Sequence, residues 1–136
     1  LAKSNALGSP AAVNDMNNRK CEIIQTGDGE NTFVVREKDD ALFRISFPQS
    51  VIRQFYETTN GYILVFQCRA AIVKEKGNVC LVSPAGQILW WAERKKSDGC
   101  YVETTLQEQH LIGYDGSFNC WINLQNGKIE KCEFVK

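Results

Sequence analysis

The 136-residue chain reads as a mainly β, single antiparallel domain of hairpins and meanders. An open twisted sheet or a small sandwich is expected, with one short helix near residues 48–59. Three features predict this. Apolar and polar residues alternate over short runs: Phe43, Ile45 and Phe47 share one side of an extended chain, and Leu42, Arg44 and Ser46 the other. Such alternation puts one face of a strand in a core. Turn dipeptides separate the runs, above all Asp115-Gly116 and Asn126-Gly127, which tolerate the positive φ of tight hairpins. Finally, "NVCLVSPAGQIL" can be laid on "FNCWINLQNGKI" with one extra residue before the glycine. Each reads as a strand, a glycine turn and a second strand.

In chain order, residues 1–19 are rich in Ala, Asn, Ser and Gly, with Pro10 and no sustained period. They are expected to form a flexible arm, and the domain is expected to span 20–136. "CEIIQT", "TFVVRE" and "ALFRISF", separated by "GDGEN" and "KDD", predict a three-stranded meander. "PQSVIRQFYETTNG" changes period. Pro48 suits a first helical position, Val51, Ile52 and Phe55 fall on one stripe, and Asn60-Gly61 supply a stop, which predicts the helix.

"YILVFQCR" is apolar on both faces, as a central strand is, and "AAIVKEKG" reads as a connecting loop. "NVCLVS" and "QILWWAE" flank the turn "PAG"; "KKSDG" is a charged loop; "CYVETTLQ", "HLIGYD", "SFNCWINLQ" and "KIEKCEFVK" complete the strands. The paired hairpins resemble those of a β-propeller blade. At roughly 40 residues per blade the chain holds three at most, fewer than a closed propeller uses. The open sheet or sandwich is the more economical expectation.

Sixteen basic residues balance sixteen acidic ones. Zero net charge argues against strong general binding to nucleic acid or an anionic membrane. No apolar run approaches the ~20 residues of a membrane-spanning helix, and residues 1–20 carry no apolar block of signal-peptide length. A cytoplasmic location is the expectation. The six cysteines, Cys21, Cys68, Cys80, Cys100, Cys120 and Cys132, form no C-x-x-C pair of the kind used by zinc ribbons. Most sit in apolar strand-like runs, where a thiol acts as a small core residue. Their even number also permits three disulfides, which an oxidising compartment would favour.

The tryptophans are the candidate contact residues. In "GQILWWAER", Ile88, Trp90 and Ala92 point one way and Leu89, Trp91 and Glu93 the other. Trp90 is therefore the core candidate, with Trp91 near the surface or under the helix. Burial of both rings, one on each face of a central strand, is the plainer alternative. Trp121 shares its side with Asn123 and Gln125, so its ring stands on a polar face. If Trp91 and Trp121 lie on one outer face, they form an apolar patch able to anchor a partner. Tyr114, Lys95 and Lys96 complete the set.

No catalytic, metal or cofactor site is expected. His110, the single histidine, could pair with Cys100 or Cys120, but no nucleophile motif surrounds them. The carboxylates, among them Asp28, Asp98 and Asp115, fall at turns. "GDGEN" lacks the spacing of a calcium loop. No phosphate-binding, serine-hydrolase or zinc-protease motif occurs.

From Pro48 to Lys136 the chain resembles a group of small bacterial proteins of uncertain function. The stretches that carry the likeness are "VIRQFYETTNGYILVFQ", "NVCLVSPAGQILWWAE", "CYVETT" and "HLIGYDGSFNCWINLQNGKI". The resemblance implies a non-enzymatic protein of the toxin-immunity type, which covers the active site of a bacterial toxin domain; Trp91, Trp121, Tyr114, Lys95 and Lys96 are the contact residues expected from the reading of the strands and loops. The alternative is a secreted or periplasmic, disulfide-stabilised β-domain that binds carbohydrate or peptide.

Overall fold

The computed structural model describes residues 18–25 and 30–135. The expected arm, apart from Asn18 and Arg19, and Asp28 of the "GDGEN" turn lie outside them. Among the described residues, eleven strands form three antiparallel sheets, each a meander in chain order. The first sheet is β1 (Arg19–Gln25), β2 (Asn31–Glu37) and β3 (Asp40–Phe47). The second is β4 (Ile52–Thr58), β5 (Gly61–Phe66), β6 (Val79–Val82) and β7 (Ile88–Trp91). The third is β8 (Glu103–Leu106), β9 (His110–Tyr114), β10 (Phe118–Asn123) and β11 (Ile129–Phe134). One helical turn, α1 (Val73–Lys76), lies between β5 and β6.

The second sheet is the middle layer of a stack. Tyr62, Leu64, Phe66, Cys80 and Val82 pack against Phe33, Val35 and Phe47 of the first sheet. The alternate residues Ile63, Val65, Val79, Leu81 and Trp90 pack against Leu111, Cys120 and Ile122 of the third. This explains why all six residues of β5 are buried and apolar or glycine: each of its faces meets a layer, so no side needs polar residues.

The sheets stack like on like. Tyr56 of β4 meets Thr104 of β8 through their hydroxyls at 2.8 Å. Glu93, just past β7, donates its N–H to Gly127 at 2.8 Å, ahead of β11, and its carboxylate accepts the N–H of Ile129 at 2.9 Å. The two hairpins matched in the sequence are structural equivalents, and each keeps its glycine for the same reason. Gly86 and Gly127 have φ of +91° and +75°, and a Cβ on either would come within 2.7 Å of an aromatic ring of the preceding sheet, Phe43 and Trp90 respectively. Positive φ and a ring resting on the turn both demand glycine. The architecture is three antiparallel meander sheets stacked in chain order.

The helix expected near residues 48–59 is not there. Ile52–Thr58 is a strand, pairing Phe55 with Leu64 and Tyr56 with Ile63. Phe55, Tyr56 and Thr58 favour the pleated surface, and Asn60-Gly61 turns a hairpin where it was read as a helix stop. The short apolar stripe fits both periods, and a partner strand decides between them. The helical turn falls instead in "AAIVKEKG", expected to be a loop.

The two rings face opposite layers, as the two-faced alternative has it, but β7 is an edge strand and Trp91 is only half-buried. The register of β6 and β7 slips, with Leu81 opposite Trp90 and Val82 opposite Ile88, so Leu89 bulges out and is 54% exposed. Trp90 enters the second core and donates its Nε1–H to the carbonyl of Leu124 at 3.2 Å. Trp91 turns to the first core and stacks on Phe66, ring centroids 6.0 Å apart.

Candidate functional site

The third sheet has one face in the second core and one with no described element against it. Leu111, Cys120, Ile122 and Leu124 are buried on the inner side, so the intervening residues point outward. Register puts Thr105, Ile112, Trp121 and Lys131 in one row across the sheet, and Glu103, Tyr114, Asn119 and Glu133 in the next. Trp121 and Tyr114 are thus diagonal neighbours on one face, with Ile112, two residues before Tyr114 on β9, directly opposite Trp121. Both rings are half-buried. The Lys131 ammonium stands over the Trp121 ring, 4.2 Å from its centroid, an attraction of about 0.5–1 kcal/mol at an exposed site.

A β-bulge lies at the end of this face. Trp121 pairs with Lys131 and Ile122 with Ile129, which leaves Glu130 outside the ladder. Its carboxylate pairs with His110 Nε2 and accepts a hydrogen bond from Asn123 Nδ2 at 3.0 Å. The hydrogen bond from His110 and then that from Asn123 stabilise the ionised form, so its pKa is lowered from the ordinary carboxyl value. The three side chains border a polar cleft of about 800 Å³ that runs to the β4–β5 and β8–β9 turns. Its carboxylates are Glu57, Glu108 and Glu130, and neither lysine nor arginine lines it. The cleft can therefore take a cationic or multiply hydrogen-bonding group.

The other expected contact residues are placed elsewhere. Trp91 lies between the first and second sheets, so it shares no face with Trp121 and the joint patch does not form. The Lys95 ammonium sits 4.4 Å from the Phe118 ring, at the corner where Phe118 meets the exposed Phe134 edge to face. Lys96 is an exposed loop residue whose carbonyl accepts the N–H of Gly99. Sequence reasoning missed Ile112, Lys131 and Glu130. The alternation of "HLIGY" carried a signal for Ile112; nothing in the sequence marks a bulge at Glu130.

The cysteines depart from the expected thiols. Cys68 pairs with Cys100, Cα atoms 5.8 Å apart, and Cys120 with its cross-strand neighbour Cys132, 4.2 Å apart. Cys120 also faces away from His110, so no Cys–His couple arises with it, and Cys100 is consumed in its disulfide. Cys80 remains a thiol, pushed up by burial. Cys21, half-buried, is raised to about 12 by desolvation and then by the charge of Glu57. The first disulfide clasps the loop before β8, which the buried Asn78 amide also grips. Asn78 Nδ2 donates to the carbonyls of Phe66 and Tyr101, and Oδ1 accepts the Tyr101 N–H at 2.8 Å.

Among the described residues, no group of three or more His, Cys, Asp or Glu is disposed to hold a metal, and no helix is long and apolar enough to cross a membrane. No protein-family model matches the chain, and no curated protein matches it in sequence.

Proposed function

We propose that this chain is a non-enzymatic binding protein of the toxin-immunity type, which holds a protein partner on the outer face of its third sheet and blocks it sterically. The observation that carries this reading is Trp121: a large half-buried ring on the outward face, opposite Ile112 and beside Tyr114, with the Lys131 ammonium over it. A pre-positioned aromatic loses little freedom on binding, so more of its burial appears as affinity. Covering the part of this half-buried indole that is still exposed, on the order of 90 Å² at about 25 cal/mol/Å², contributes about 2 kcal/mol before ordering costs. The acidic cleft at the end of the same face suits a lysine or arginine of the partner. Tyr114 borders the contact; Lys95 and Lys96 are not part of it.

A second reading is favoured by the two cysteine pairs: a secreted or periplasmic, disulfide-stabilised β-domain binding peptide or carbohydrate. Formed disulfides favour an oxidising compartment over the cytoplasm. Counting thiols on the unreduced, denatured protein separates the two. Two free thiols support the second reading, and six support a cytoplasmic immunity protein. The first reading is tested by expressing the chain with a toxin-like domain encoded beside it. Wild type is expected to protect the cells and Trp121→Ala to protect them poorly. Equal protection by both, or none by wild type, contradicts it.

A further inference from the structure

The chain is formally neutral, yet the fold gathers unlike charges at opposite ends of β5. The strand starts at Gly61, directly after Asn60 of the acidic cleft, and runs to Phe66. Six extended residues span roughly 20 Å, so the loop 67–78 that follows lies that far from the cleft. The loop 94–99 is tied to it. The Arg94 guanidinium donates to the carbonyl of Val73 at 2.8 Å and to that of Gly99 at 3.3 Å, and the Cys68–Cys100 disulfide joins the same two segments. Braced in this way, the loops expose Arg69, Lys74, Lys76, Lys95 and Lys96 against the two carboxylates Glu75 and Asp98. The cleft exposes Glu57, Glu108 and Glu130 with no lysine or arginine in its lining.

Neither set of charges is neutralised where it stands. Among the described residues the ion pairs are Arg36–Glu22, His110–Glu130 and Lys131–Glu133. Glu57 and Glu108 take no part in them, and neither does any cation of the two loops. The residues outside the described ones carry Lys3, Asp15, Asp28 and Lys136, two charges of each sign, which leaves the imbalance at either end in place. Charges held roughly 20 Å apart lie beyond the screening length of about 8 Å at physiological ionic strength. They gain little from one another within one molecule. Between two copies of the chain they can meet.

We propose that the acidic cleft receives the basic loops of a second copy of this chain, with Lys74 and Lys76 of α1 directed at Glu57 and Glu108. A second copy is the occupant that the charges favour, because each molecule carries both members of the complementary pair and has no net charge to oppose approach. The contact joins two different surfaces, so it is heterologous and either extends to further copies or closes as a ring. It goes beyond the proposed function. The cleft borders the Trp121 face, so a second copy seated there competes with a lysine or arginine of the toxin domain.

The test is sedimentation velocity of the full chain over a range of protein concentration. It is run at about 10 mM and about 1 M salt, between which the screening length falls from about 30 to about 3 Å. The mean mass is expected to rise with concentration at low salt, and association to weaken roughly tenfold or more at high salt. Two double variants reverse one end each: Lys74→Glu with Lys76→Glu, and Glu57→Lys with Glu108→Lys. All four positions are exposed. Each variant alone is expected to stay monomeric, and their equimolar mixture to associate again, since the reversed ends complement each other. A wild type that stays monomeric at low salt overturns the proposal. So does association that high salt leaves unchanged, or a mixture that stays monomeric. The Trp121 reading is scored separately by cell protection, so it survives each of these failures.

Discussion

Three indoles in this chain have three different surroundings, and the difference is one of alternation and register. Trp90 and Trp91 are neighbours, so they must face opposite ways; the bulge at Leu89 and the middle position of their sheet put both between layers. Trp121 alternates with Cys120 and Ile122, both fully buried, and so faces out. The outward direction of Trp121 was readable in the polar company of Asn123 and Gln125. The direction of Trp91 was not, since Glu93 beside it suggested an outer face that exists only past the end of β7. Trp90→Ala, which empties a packed site and orphans the Leu124 carbonyl, is expected to cost about 3–5 kcal/mol in chemical denaturation. Trp121→Ala should stay within about 1 kcal/mol. Glu130 gives a prediction in pH. Its pKa is lowered in the folded state, so its contribution is present above the ordinary carboxyl value and is lost as pH falls through the folded one. In His110→Ala, the Glu130 carboxyl followed by NMR should move back up toward 4.5; an unmoved titration contradicts the pairing.

At the scale of elements, the strands and the paired glycine hairpins were legible and the helix was misplaced. "VIRQFYETT" carries an apolar stripe short enough for either period, and only pairing with β5 settles it. The disulfides were beyond reach of the sequence because six cysteines allow fifteen full pairings. Cys120 and Cys132 become partners only once the β10–β11 register is known. Their ring is short, with a separation of 12, and that of Cys68–Cys100 is 32. Loop-closure entropy gives at most about 3 and about 4 kcal/mol respectively. Paired serine substitutions should therefore lower the melting temperature in both cases, and more for Cys68 and Cys100, which also anchor the loop before β8. A larger drop for the Cys120 and Cys132 pair would show that geometry within the third sheet outweighs chain entropy.

For the molecule as a whole, the likeness to propeller-blade hairpins pointed to the right building block, while the economical expectation of one sheet or a sandwich stopped a layer short. Alternation assigns residues to faces but never says which sheet a face meets. The single clue was β5, apolar on both sides, and it marks a middle layer only in hindsight of the two cores. Three stacked layers hold the third sheet rigid from behind, so its outer face can present Trp121 without rearrangement. The most direct measurement is calorimetric titration of a neighbouring-gene toxin domain with wild type and with Trp121→Ala of unchanged stability. A central aromatic anchor is worth at least about 2 kcal/mol, so the substitution is expected to weaken binding by roughly 30-fold or more. Equal affinity of the two proteins would contradict the assignment of this face as the binding surface.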